Sequence, residues 1–107
     1  MGKKILLEPG VDAIVVALCA DYDRRARALE EKSVGHGAEM EYKYLNYKMF
    51  DAAAEVVGAS DAYTVIREIG TRIGYAKCDM CEVSERIYKE RKREVKLNIA
   101  RKLRLCD

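Results

Sequence analysis

The chain has 107 residues, half of them apolar and 36% charged, with one Pro, no Trp and a formal net charge of +2. That length suits one compact domain with a single core, and the composition excludes a disordered chain in favour of a helical globular one. The expectation is a single domain over residues 1–107 with an all-α fold of four to five helices.

The opening MGKKILLEPGVDAIVVALCA sets two lysines ahead of an apolar run, the outline of a secretory signal, but Glu8, Pro9 and Asp12 interrupt it and leave only residues 13–20 unbroken. That piece is far short of the roughly eighteen residues a membrane span needs. A cytoplasmic protein without membrane association is expected. In such a protein Cys19, Cys78, Cys81 and Cys106 are reduced thiols serving as small hydrophobes, not a disulfide framework.

Pro9-Gly10 reads as a break ahead of the first element. From Val11 the apolar residues fall at 11, 14, 15, 18, 22, 26 and 29, helical spacing that predicts one helix over 11–32. In its charged second half, DYDRRARALEEK, the stripe Tyr22, Ala26 and Leu29 is the side expected to face a core. Residues 33–37, SVGHG, form a loop, because two glycines within three residues disfavour helix.

The second helix, over 38–57, carries two stripes: Tyr42, Leu45, Met49, Ala53 and Val56 on one, and Met40, Tyr44, Tyr47, Ala54 and Val57 on the other. Two apolar faces exceed what one neighbour covers. Residues 11–57 are therefore expected to form an antiparallel helical hairpin with a surface left for a homodimer contact. Its aromatics, Tyr42, Tyr44, Tyr47 and Phe50, fit packing and an interface better than base stacking. Gly58-Ala59 ends this helix, and Ser60-Asp61 offer N-caps for a third over 61–73 with Tyr63, Ile66, Ile69 and Ile73 on one side. Gly70 and Gly74 either permit close helix approach or stop the helix.

CDMCEVSERIYK, residues 78–89, is the informative stretch. The CxxC pair lacks the second ligand pair that tetrahedral zinc requires, and His36 is the only histidine. A redox CxxC would need a preceding strand, and none is visible. No metal and no cofactor are expected. The spacing fits a helix-turn-helix, in which Cys78 and Cys81 are core positions of the middle helix, Glu82 and Val83 lie in the turn, and Ser84 caps the recognition helix. Glu82 departs from the glycine that such a turn prefers.

After Ser84, the residues Ile87, Tyr88, Val95, Ile99, Ala100 and Leu103 make one buried stripe on a long last helix. Residues 84–107 carry nine Lys/Arg against four Asp/Glu, whereas residues 1–83 carry eleven against fourteen, so the positive charge is concentrated at this end. That asymmetry points to an anionic partner. Arg86, Lys89 and Arg93 are candidate base-edge or phosphate contacts for double-stranded DNA, and Arg91, Lys92 and Lys96 candidates for flanking phosphates, with Ser84 and Glu85 at the helix start. The competing reading is a merely soluble helix held by i,i+3 and i,i+4 pairs among Glu85, Glu90, Glu94 and these cations.

Residues 62–105, through IGTRIGY, V-S-E-R-x-Y-K, K-R-E-V-K and I-A-R-K-L, resemble the C-terminal part of phage transcriptional regulators of the autolysin-regulator (ArpU-like) kind, which are similar to region four of sigma factors. The resemblance covers about two fifths of the chain. It implies late-gene transcription control, a trihelical DNA-binding unit over 61–105 with Arg86, Lys89 and Arg93 as readers, and, in a sigma-like mode, contact with RNA polymerase. The N-terminal half resembles the helical region that such proteins carry ahead of that unit.

Catalysis finds little support. There is no phosphate-binding glycine loop and no HExxH. His36 stands between glycines, and Asp21 and Asp23, two apart on a helix, diverge by about 200°. The reading is thus a non-enzymatic DNA-binding regulator, with a helical protein-interaction or assembly protein that binds no nucleic acid as the alternative.

Overall fold

The computed structural model describes residues 7–74 and 83–106. These residues are helical without any strand, in five elements: α1 (Pro9–Ala20), α2 (Tyr22–Glu30), α3 (His36–Val57), α4 (Ala59–Thr71) and α5 (Glu85–Lys102). The all-α expectation holds. The segment expected to form the middle helix and turn of the helix-turn-helix, with Cys78, Cys81 and Glu82, lies outside the described residues.

Several boundaries differ from the sequence reading, each for a local reason. Pro9 and Gly10 do not precede the first helix but open it, since a proline in the first turn has no N–H to leave unsatisfied. His36 and Gly37 likewise fall in the first turn of α3. The start of α4 comes directly after Gly58, whose φ of 90° makes the corner between α3 and α4. Ser60 and Asp61 therefore lie inside the first turn of α4 and do not cap it through their side chains.

The expected helix over 11–32 is broken at Asp21 into α1 and α2. The break redirects the chain. α2 packs on α3, as a hairpin would, whereas α1 turns away to lie against α4 and α5. At the break the buried Arg25 donates from Nη2 to the Leu18 carbonyl at 2.9 Å, satisfying an acceptor near the carbonyl end of α1. Its Nε donates to Asn46 Oδ1 of α3 at 2.7 Å, and the Asn46 amide donates in turn to the Tyr22 carbonyl at 3.2 Å. Arg25, only 1% exposed, is thus the one fully buried side chain of α2, while Ala26 of the expected stripe faces solvent.

α3 is the central helix, with α2, α4 and α5 packed around it. Its Met49, Ala52 and Ala53 meet Val65, Ile66 and Ile69 of α4 and Val95, Ile99 and Ala100 of α5 in one core, which Val15 and Cys19 of α1 complete. The small residues let the helices approach closely. The closest approach at any described glycine is at Gly70 of α4, where an added Cβ would stand 2.6 Å from Ala20 N and 2.7 Å from Ala20 Cα. Of its two expected roles, Gly70 has that of close approach.

Burial raises the Cys19 thiol to about 12, so it remains a neutral core group. Cys19 and Cys106 are free thiols. None of the described helices is long and apolar enough to cross a membrane.

Candidate nucleic-acid interface

Ser84 sits in an extended conformation ahead of α5, and its Oγ accepts from Ile87 N at 3.3 Å. This is the N-cap expected from the sequence. The buried side of α5 is formed by Tyr88, Val95, Ile99 and Ala100, four of the six residues expected there; Leu103 is half-buried and Ile87 exposed. Tyr88 also ties α5 to the end of α4, its hydroxyl lying 3.0 Å from the buried Glu68 Oε1 and 3.1 Å from the Ile73 carbonyl. Lys92 Nζ donates to that same carbonyl at 2.9 Å and stands 5.1 Å from the centre of the Tyr88 ring. The first turns of α5 are fixed in place by these bonds, with Glu85 and Arg86 pointing to solvent.

At about 100° per residue, Lys89, Lys92, Arg93 and Lys96 occupy a single sector of roughly 100° to one side of the buried stripe. These four cations line an open groove of about 410 Å³ whose other wall is Leu7 and Asp12. Asp12, at the start of α1, reaches Lys96 Nζ at 2.8 Å. Arg86 lies one step further around the same side, and its side chain is 86% exposed.

The remaining candidate is displaced. Arg91 lies on the opposite flank of the stripe, about 100° from Lys92. That flank meets α3: Asn98 Nδ2 donates to the Ala52 carbonyl at 2.9 Å and to Glu55 Oε1 at 3.0 Å, and Lys102 bridges Asp51 and Glu55 at 3.2 and 2.8 Å. Arg91 does not join Lys92 and Lys96 on a common surface.

Acidic neighbours temper the charge. Glu85 accepts from Lys89 Nζ at 2.8 Å, and Glu90 lies 3.8 Å from Arg86 Nε. Both are i,i+4 pairs on an exposed face, worth a few tenths of a kcal/mol each. A phosphate arriving at the groove would displace such a carboxylate at little cost. Lys96 is more firmly committed, since its side chain and Asp12 are both partly shielded.

Sequence reasoning missed Asp12 and Leu7 as groove residues and the Ile73 carbonyl as the anchor for Lys92. Asp12 was legible only as an interruption in an apolar run, because nothing in its spacing tells which helix α1 will meet.

The residues considered for catalysis stand apart. His36 is exposed in the first turn of α3. The Asp21 carboxylate is paired with Arg24 and Arg25, and its hydrogen bond from Arg24 holds it below the ordinary carboxylate value. Asp23 instead accepts from the Tyr63 hydroxyl at 3.0 Å.

No protein-family model, no curated protein and no solved structure matches the chain.

Proposed function

We propose that the chain is a double-stranded-DNA-binding regulator in which α5 is the recognition helix and its Lys89–Lys96 side meets the phosphate backbone. The observation that carries this reading is the groove lined by Lys89, Lys92, Arg93 and Lys96 against one carboxylate, that of Asp12. A row of cations along one helix side is the electrostatic footprint of phosphate contact.

Within this reading each residue has a distinct part. Ser84 fixes where α5 begins, and hence which turns project furthest. Arg86 bears a guanidinium fork suited to a guanine edge in the major groove, and Arg93, in the groove row, supplies its charge to a phosphate. Lys89 and Lys96 supply point charges to phosphates, exchanging Glu85 and Asp12 for the backbone. Lys92 holds α5 to the end of α4 while lending its charge to the groove. The resemblance to phage late-gene regulators extends the proposal to transcription control, with RNA polymerase as a further partner in a sigma-like mode.

A second reading, a helical interaction protein that never touches nucleic acid, is favoured by one observation: Arg86 and Lys89 each have an acidic residue one turn away. Fluorescence anisotropy with a mixed-sequence duplex separates the two. Four phosphate contacts predict that affinity falls roughly a hundredfold between about 50 and 200 mM salt, and that Arg93→Ala flattens the slope by about one contact. A folded protein that fails to bind at the lowest salt would sink the DNA reading and leave the second.

A further inference from the structure

The outer face of α3 carries an apolar stripe that no other described helix covers. Met40, Tyr44 and Tyr47 are 62%, 49% and 67% exposed, and they lie four and seven positions along one side of the helix. That side is diametrically opposite Met49 and the core. The stripe closes at its C-terminal end, where Lys102 of α5 reaches Asp51 and Glu55. Residues 36–48 are the open part.

We propose that this open part of α3 is a homodimer interface in which two copies pair antiparallel, Met40 of each against Tyr47 of the other and Glu41 of each against Lys48 of the other. The occupant is identified by charge. Glu41 and Lys48 are seven residues apart and so share one flank of the stripe. A two-fold axis near residue 44 brings the acidic end of that flank in one copy against the basic end in the other, twice by symmetry. In a parallel pairing the Glu41 and Lys48 flanks of the two copies fall on opposite sides of the contact, so these two residues meet across copies only in the antiparallel arrangement. The Glu41–Lys48 flank is therefore complementary to itself in the antiparallel direction, and on the other flank Lys43 is paired within its own copy to Glu39 at 3.4 Å.

The side chains suit this role. Tyrosine offers a large apolar body with a hydroxyl that stays hydrated at an interface rim. Lys48 already lies 5.7 Å from the centre of the Tyr44 ring, so its charge is held beside the stripe. Two tyrosines and a methionine per copy bury on the order of 400 Å² a side, the low end for specific interfaces. The dimer is accordingly a reversible one, with a dissociation constant in the micromolar range. This inference does not rest on the DNA reading and stands or falls separately from it.

Sedimentation velocity on the full chain from about 1 to about 300 µM tests it. The native chain is expected to pass from monomer to dimer across that range. Tyr47→Ser should weaken dimerisation at least tenfold, and Glu41→Lys or Lys48→Glu alone several-fold. The double variant Glu41→Lys/Lys48→Glu should return to near the native constant, a result only cross-copy pairing of these two residues produces. All these positions lie away from the core, so helical circular dichroism should be retained throughout. A monomer at every concentration overturns the proposal, as does a dimer indifferent to Tyr47→Ser or a double variant no better than the singles.

Discussion

Replacing Gly70 by alanine should destabilise the protein although alanine is the better helix former. In an exposed helix interior the exchange gains about 1 kcal/mol. Here the new methyl would stand 2.6 Å from Ala20 N, 2.7 Å from Ala20 Cα and 2.7 Å from the Cys19 carbonyl carbon. Ordinary contacts between such atoms are about 3.5–4.0 Å, so the overlap is roughly 1 Å. All three atoms are backbone, and no rotamer change relieves them. α1 must shift by about that amount, loosening Val15 and Cys19 in the core. Overpacking costs typically 1–3 kcal/mol and more where the neighbour is rigid, which leaves a net loss of about 2 kcal/mol after the propensity gain. Urea unfolding followed by circular dichroism measures it as a lower midpoint with an unchanged slope. Gly10→Ala, in the first turn of α1 with nothing within 4 Å of its added Cβ, is the control and should be neutral or stabilising. A Gly70→Ala midpoint equal to or above the native one would refute the account of the α1–α4 approach.

Arg25→Leu should cost about 3 kcal/mol in the same assay, because it strips donors from Asn46 and the Leu18 carbonyl and leaves those acceptors buried; a loss below about 1 kcal/mol would mean that water replaces the guanidinium. Acid should weaken the fold through Asp21 and Glu55. Hydrogen bonds from Arg24 and from Asn98 respectively, and from Lys102 at Glu55, hold these carboxyls below their ordinary values. Carboxyls with depressed native values contribute stability that is full above the unfolded value and lost as pH falls through the native one, so the decline should set in below about pH 4. Thermal midpoints measured from neutral to acid pH check this, and Asp21→Asn should make the decline shallower; an identical decline in that variant would assign the acid sensitivity elsewhere.

Much of the fold was legible because helical spacing reports which side of a helix is apolar. The cap at Ser84 and the buried side of α5 followed from that spacing and from one well-placed serine. What the spacing could not convey is how helices turn relative to one another. The periodicity of residues 11–29 runs through Asp21 without interruption, yet the chain changes direction there, because the reason lies across the fold in Asn46 and in a guanidinium that spacing marks as solvent-facing. The groove was half visible for the same reason: its basic side belongs to one helix, whereas Asp12 arrives from another. Arg91 shows the converse, since proximity in sequence to Lys92 says little about proximity on a helix surface. The open stripe on α3 was visible as surplus apolar surface, but its exposure depended on where α5 ends.

The break at Asp21 also sets the grain along which the molecule comes apart. α1 is clamped to α4 at backbone distance, and its amides should exchange with solvent only when the core itself opens. α2 buries no apolar side chain fully, and apart from the buried Arg25 its ties are exposed or half-buried ones, Arg24 to Tyr42, Asp23 to Tyr63 and the Tyr22 ring beside Tyr63, so it can lift away while the remaining helices stay assembled. Two segments one residue apart thus belong to different cooperative units. Amide exchange should change abruptly between Cys19 and Asp23, a step in protection where hydrophobic periodicity shows none.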